Sequence, residues 1–199
     1  MKKAFLLIAA AIVCMSASAQ IQFGAKIGAD ASNFWGKDTE HGMKLGYQVG
    51  LLMEYKFNPH FAIAPEVVFA SQGGKTDNYV IEGVVVKGTF NTNYINVPLM
   101  LKYYATPAFS IDFGPQVGFN VYSKMTAKVK AGNVEAKESV DLKDVTNTVD
   151  FGLGLGATYN LTENAFVQTR YNLGLTKVFD IEDSYEKNGN IQLAFGMKF

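Results

Sequence analysis

Ile95-Asn96-Val97-Pro98-Leu99-Met100-Leu101-Lys102-Tyr103 is apolar at every odd position, and among its even positions it carries Asn96 and Lys102. The same register extends from it in both directions along the chain. The spans 21–31, 45–57, 61–69, 95–103, 109–121, 149–159, 167–175 and 191–199 hold 46 odd positions, and none is charged. At the overall 18% charged content about eight charges would fall there by chance, and a lipid-facing surface is the one place that tolerates none. The even positions within and beside these spans hold Lys26, Asp30, Lys44, Glu54, Lys56, Glu66, Lys102, Asp112, Asp150, Arg170 and Lys198. A period of two with this polarity gives strands with one apolar and one wet face.

Alternation alone does not say which face is buried, because a soluble barrel or sandwich alternates with its apolar side inward. Four features favour a membrane barrel. The runs of 9 to 13 residues exceed an ordinary strand of about six and match the roughly 9–11 tilted residues that cross a bilayer. The connections 58–60, 105–108 and 161–165 are short, whereas 32–44, 70–94, 122–148 and 176–190 are long, the asymmetry of outer-membrane barrels. Phe57, Phe61, Tyr103, Phe109, Tyr159 and Phe199 sit where apolar faces meet the short turns, as an interfacial girdle requires. The span 191–199 ends on an aromatic, which resembles the C-terminal signal read by barrel-assembly machinery. The expected fold is all-β, an eight-stranded antiparallel up-and-down transmembrane barrel. Pro65, Pro98 and Pro115 fall inside these spans, where each removes a ladder hydrogen bond, so bulges are expected there.

The chain opens with Lys2 and Lys3, an apolar run from Ala4 to Val13, and Ala17-Ser18-Ala19. That order predicts a cleaved signal peptide over 1–19 and a barrel domain over 20–199. The apolar run is too short for a spanning helix. Cys14, the single cysteine, lies in this leader, and the preceding Ala11-Ile12-Val13 does not suit lipoprotein processing. The exported chain is then free of thiols, disulfides and cysteine metal sites. Eighteen basic residues balance eighteen acidic ones, which gives no electrostatic case for nucleic acid.

Several segments carry a family pattern. Tyr94-Ile95-Asn96-Val97-Pro98-Leu99-Met100-Leu101-Lys102-Tyr103, Gly114-Pro115-Gln116-Val117-Gly118, Asp150-Phe151-Gly152-Leu153-Gly154-Leu155-Gly156 and Arg170-Tyr171-Asn172-Leu173-Gly174-Leu175-Thr176 resemble, in order, strands of the PorT-like outer-membrane β-barrel family. Gly24-Ala25-Lys26-Ile27-Gly28 fits its opening strand. The resemblance implies the barrel fold and the outer membrane. The family's namesake is tied to a protein-secretion system, a role nothing in this chain singles out.

An eight-stranded barrel is narrow enough for side chains to fill. Lys26, Glu54, Glu66, Lys102, Asp112 and Arg170 count into its lower half, nearest the short turns, and Asp150 joins the same inward-facing charge set. Arg170 is the expected hub, since its planar fork holds two carboxylates at once, and Gly152, Gly154 and Gly156 leave room for it. Near-balanced charges predict a paired, plugging lattice. A small pore or secretion-associated barrel is the alternative, for which a ring of one sign would speak more strongly. A lipid-modifying enzyme at the rim is the third reading and would need His41 with Ser32, Asp38 or Glu40, since His60 lies in a short turn. No nucleophile motif, metal-ligand spacing or cofactor box accompanies them, so no catalysis, metal or cofactor is expected.

The segments 79–86 and 125–138, the latter around Gly132-Asn133, read as hairpins that continue strands beyond the membrane. The expectation is a monomeric outer-membrane barrel, bathed in lipid, assembled through its last strand, whose outer loops meet a protein partner.

Overall fold

β-branched and aromatic residues alternating with polar ones favour extended backbone, and the described residues take it almost throughout. The computed structural model describes residues 20–36, 41–76, 79–81, 84–131, 134–181 and 185–199. The leader reading lies outside these residues, as do Asp38, Glu40 and the Gly132-Asn133 turn. Ten strands follow in order: β1 (Ile21–Trp35), β2 (His41–Lys56), β3 (Phe61–Thr76), β4 (Tyr79–Ile81), β5 (Val84–Thr106), β6 (Phe109–Ala131), β7 (Val134–Asp141), β8 (Val149–Asn160), β9 (Ala165–Lys177) and β10 (Lys187–Lys198). Lys143–Val145 forms a single 3-10 turn. No helix among the described residues is long and apolar enough to cross a membrane.

All pairings are antiparallel, and the sheet runs β4-β5-β3-β2-β1-β10-β9-β8-β6-β7. Pairing of β5 with β6 closes eight of these strands into an up-and-down ring, while β4 and β7 flank it as short outer strands. First and last strands meet: β1 pairs β10 from Gly24↔Lys198 to Trp35↔Lys187.

Burial alternates as the sequence predicts, with even positions turned inward. Lys26, Asp30, Glu54, Glu66, Lys102, Asp112 and Arg170 are buried, and Ile27, Leu51, Leu101, Phe113, Leu155 and Phe195 face outward. Five of the girdle residues, Phe57, Phe61, Tyr103, Tyr159 and Phe199, are exposed at the short-turn end. Phe61 and Tyr103 touch there, with ring centroids 5.3 Å apart.

The hairpins read at 79–86 and 125–138 are present, as β4 with β5 and β6 with β7, and they extend the strands through most of the connections 70–94 and 122–148, so that β5 and β6 each run 23 residues. One expectation needs correction. The prolines do not create bulges. Pairing of β3 with β5 keeps one register across Pro65↔Leu99, and that of β6 with β8 runs unbroken through Pro115↔Leu153. Between β5 and β6 the ladder lapses after Pro98↔Gln116 and resumes in the same register at Leu101↔Phe113. A lost rung is local, whereas a shifted register would turn every following side chain to the wrong face. The register shifts lie elsewhere: between Met43 and Gln48, Asn93 and Tyr94, Tyr104 and Thr106, and Lys187 and Gly189. At the first of these, a Cβ on Gly46 would stand 1.9 Å from the Ser71 carbonyl oxygen. At the second, consecutive Val121 and Tyr122 both face outward before Ser123 turns in. Above that point the outward positions of β6 are the even ones.

Candidate functional site in the barrel lumen

Alternation delivers the charged side chains to the lumen, and register sets their heights. In the half nearest the short turns they form one connected lattice. Glu66 on β3 accepts both arms of the Arg170 fork from β9, at 2.9 and 2.7 Å. The same carboxylate takes a 2.7 Å hydrogen bond from Lys26 Nζ on β1. Lys26 also donates to Gln168 Oε1, whose amide nitrogen reaches Asp112 Oδ2 at 3.1 Å. Asp112 pairs with Lys102 at 3.2 Å and accepts hydroxyl protons from Ser110 and Thr158. Lys102 lies 3.9 Å from Glu54, which accepts from Lys198 Nζ at 2.9 Å and from the Tyr104 hydroxyl at 2.6 Å. Lys56 completes the end, 3.9 Å from Glu54, with its ammonium 4.8 Å from the Tyr104 ring centroid.

Sequence reasoning placed Lys26, Glu54, Glu66, Lys102, Asp112 and Arg170 together, and the structure brings all six into this lattice. It assigns the partners differently. Arg170 grips one carboxylate rather than two, and the sharing is done by carboxylates: Glu66 serves two cations and Glu54 lies beside three. Arg170 does lie against the expected glycines: a Cβ on Gly154 would stand 3.4 Å from Arg170 Cδ. Asp150 stands outside the lattice, near the loop end, where it accepts from Thr176 Oγ1 and Asn188 Nδ2.

The lattice omits several polar side chains higher in the lumen. Asp30 accepts from Asn190 Nδ2 at 2.6 Å and Gln192 Nε2 at 3.0 Å, while Lys44 donates to the Gln72 carbonyl and Ser71 Oγ. The buried amides of Gln48 and Asn172 make no hydrogen bond to the described protein. Charge is therefore sorted by height, with five cations and three anions below and Asp30, Asp150 and Lys44 above. Composition, which reports near balance, hides this.

Aromatics cluster at the loop end. Phe34 and Phe90 project inward from β1 and β5, and Phe179 folds in from the segment after β9, with centroids 5.7–5.9 Å apart. Val178 and Leu142 pack with them. Backbone hydrogen bonds from Asn147 N–H to the Val178 carbonyl and from Asp180 N–H to the Val145 carbonyl hold this segment over the mouth. The sequence signal for the lid was two phenylalanines on an otherwise wet register, Phe34 and Phe90.

Of the residues in the enzyme reading, Asp38, Glu40 and the His41 side chain lie outside the described residues, and Ser32 is the one that is placed. Ser32 Oγ faces the Lys44 carbonyl at 3.4 Å and accepts the Gly73 N–H. His60 lies at the opposite end, with Nδ1 3.2 Å from the Tyr104 carbonyl oxygen. Among the described residues no group of three or more His, Cys, Asp and Glu is placed to hold a metal ion.

A closed ring with an apolar outer belt, an aromatic girdle and a charged lumen defines an integral β-barrel of the outer membrane. Residues 16–180 match the family described as outer membrane protein beta-barrel domain, and the chain belongs to it. Its location is the outer membrane. Among solved structures it is similar to Ail, the attachment invasion locus protein of Yersinia pestis, at 13% identity and a TM-score of 0.50, over 90% of this chain and 99% of that one. It is likewise similar to Neisserial surface protein A, at 13% identity and a TM-score of 0.51, over 89% and 97% of the two chains. At such identities the likeness is one of fold. No curated protein matches the sequence.

Proposed function

We propose that this barrel is a non-catalytic, monomeric scaffold whose lumen is closed and whose work is done by the strands and loops outside the membrane. The observations that support this reading are the ionic lattice from Arg170 to Lys56 at one end and the Phe34–Phe90–Phe179 cluster at the other. Buried charges held in mutual contact resist the hydration that ion passage requires. Beyond the ring, β4 and β7 end the sheet order, each with one edge that pairs no strand among the described residues. An edge of this kind can accept an added strand from a protein partner.

A small pore is the second reading, favoured by the unpartnered amides of Gln48 and Asn172, since a polar buried tier of this kind suits water.

Planar-bilayer conductance of the refolded chain tests the proposal. A folded barrel that stays silent supports closure, whereas stable, salt-dependent openings would overturn it in favour of the pore.

A further inference from the structure

Above the membrane the outer face of the barrel continues as a flap made of β4, the upper parts of β5 and β6, and β7. Register places its residues in rows. Asn91 on β5 pairs with Lys124 on β6, which pairs with Asp141 on β7. The next row up is Thr89, Thr126 and Ser139, and the one above is Lys87, Lys128 and Lys137. Residues directly opposite on neighbouring strands point to the same side of the sheet. That side is the outer one, because Gly88 is buried on β5 and Phe90 belongs to the lid.

Three lysines therefore stand abreast, on neighbouring strands about 4.8 Å apart. Like charges directly opposite destabilise a sheet. All three are exposed, and none forms an ion pair with a carboxylate whose side chain is described. The row below supplies three hydroxyls, two of which, Thr126 Oγ1 and Ser139 Oγ, are 3.2 Å apart. The row beneath the hydroxyls and the row above the lysines each carry one basic and one acidic residue, Lys124 with Asp141 and Lys130 with Glu135. The concentration of positive charge thus belongs to one row, in a chain with no net charge.

We propose that this lysine row and the hydroxyl row beneath it form a binding site for the phosphate- or carboxylate-bearing sugar headgroup of a glycolipid in the surrounding outer leaflet. Position selects this occupant. The face is continuous with the lipid-facing side of β5 and β6, and Tyr122, exposed on the same face, is an aromatic of the kind that marks the bilayer boundary. Lys128 lies six residues further along the strand, about 20 Å beyond Tyr122, at the height of a large headgroup rather than of acyl chains. Ammonium groups attract the anionic oxygens and hydroxyls orient them. The site stands on this geometry alone and does not depend on whether a protein docks at the β7 edge.

The test compares full-length barrel refolded in phosphatidylcholine vesicles with and without lipopolysaccharide. The wild-type protein should melt several degrees higher with lipopolysaccharide, and added salt should erode the gain. The triple variant K87S/K128S/K137S should fold, melt no lower than wild type in phosphatidylcholine alone, and lose most of the gain. A control variant, K75S/K177S, removes two lysines outside the row and should keep it. An equal gain in the triple variant, or an equal loss in the control, would overturn the site. Lipopolysaccharide stripped of its phosphates separates headgroup from acyl chain: a retained gain would overturn recognition of the anion. Free inorganic phosphate at millimolar concentration should give no gain, and one as large as that from lipopolysaccharide would overturn the headgroup as occupant.

Discussion

Glu66 shows what a single residue contributes to this barrel. Its carboxylate is buried and is gripped by Arg170 and Lys26 together. Removing one partner of a buried pair typically costs about 3–5 kcal/mol, because the other charge is left without compensation. Glu66→Ala strands two cations, whereas Arg170→Ala leaves Glu66 with Lys26. We therefore predict that Glu66→Ala lowers urea-unfolding stability in vesicles by about 3–5 kcal/mol and Arg170→Ala by less. The reverse order would mean that Arg170 is the hub after all. Tyr104→Phe deletes a hydroxyl bonded to Glu54 while Lys198 remains, so a loss of about 2 kcal/mol is expected in the same assay. Sequence parity was enough to identify which charges turn inward. It could not pair them, because Glu66 and Arg170 lie 104 positions apart and meet only once the ring has closed.

At the scale of the element, the eight ring strands were legible because lipid imposes a rule on every odd position. Their upper ends were legible only in the two hairpins, 79–86 and 125–138. Beyond the bilayer, polar residues are permitted on both faces, so the ladder fades in Thr89–Asn93 and Ser123–Lys128 although the strands continue. Prolines misled for a related reason, since a missing N–H costs one rung while the alternating faces hold the register. Two of the four register shifts, at Met43–Gln48 and Lys187–Gly189, involve a glycine instead. Gly73, near the Met43–Gln48 shift, has φ of +142°, and an added Cβ would stand 2.0 Å from the Phe90 carbonyl oxygen. Gly73→Ala should cost about 1–3 kcal/mol by forcing both the dihedral and the contact. The loss of the heat-modifiable band on semi-native gels at a lower temperature is the readout, and an unchanged transition would show that the β3–β5 edge yields.

At the scale of the molecule, two closures in series predict a specific pattern of leaks. Phe179→Ser opens the lid but leaves the ionic lattice, so it should stay silent in planar bilayers. Glu66→Ala alone leaves the lid in place and should stay silent too. The double variant should conduct, and conductance from either single variant would mean that one closure carries the whole seal. The seam between β1 and β10 has a further consequence, one of timing. Other neighbours in the ring follow one another along the chain, apart from the short strands β4 and β7, but Gly24 waits for Lys198. Such a contact forms late, because a long stretch of chain must be ordered before it is made. Until then the polypeptide is a greasy sheet with two unpaired borders, sticky along both. The interval between the making of the first strand and the arrival of the last is thus when this protein is most prone to aggregate, and a carrier that shields β1 through that interval would protect it best.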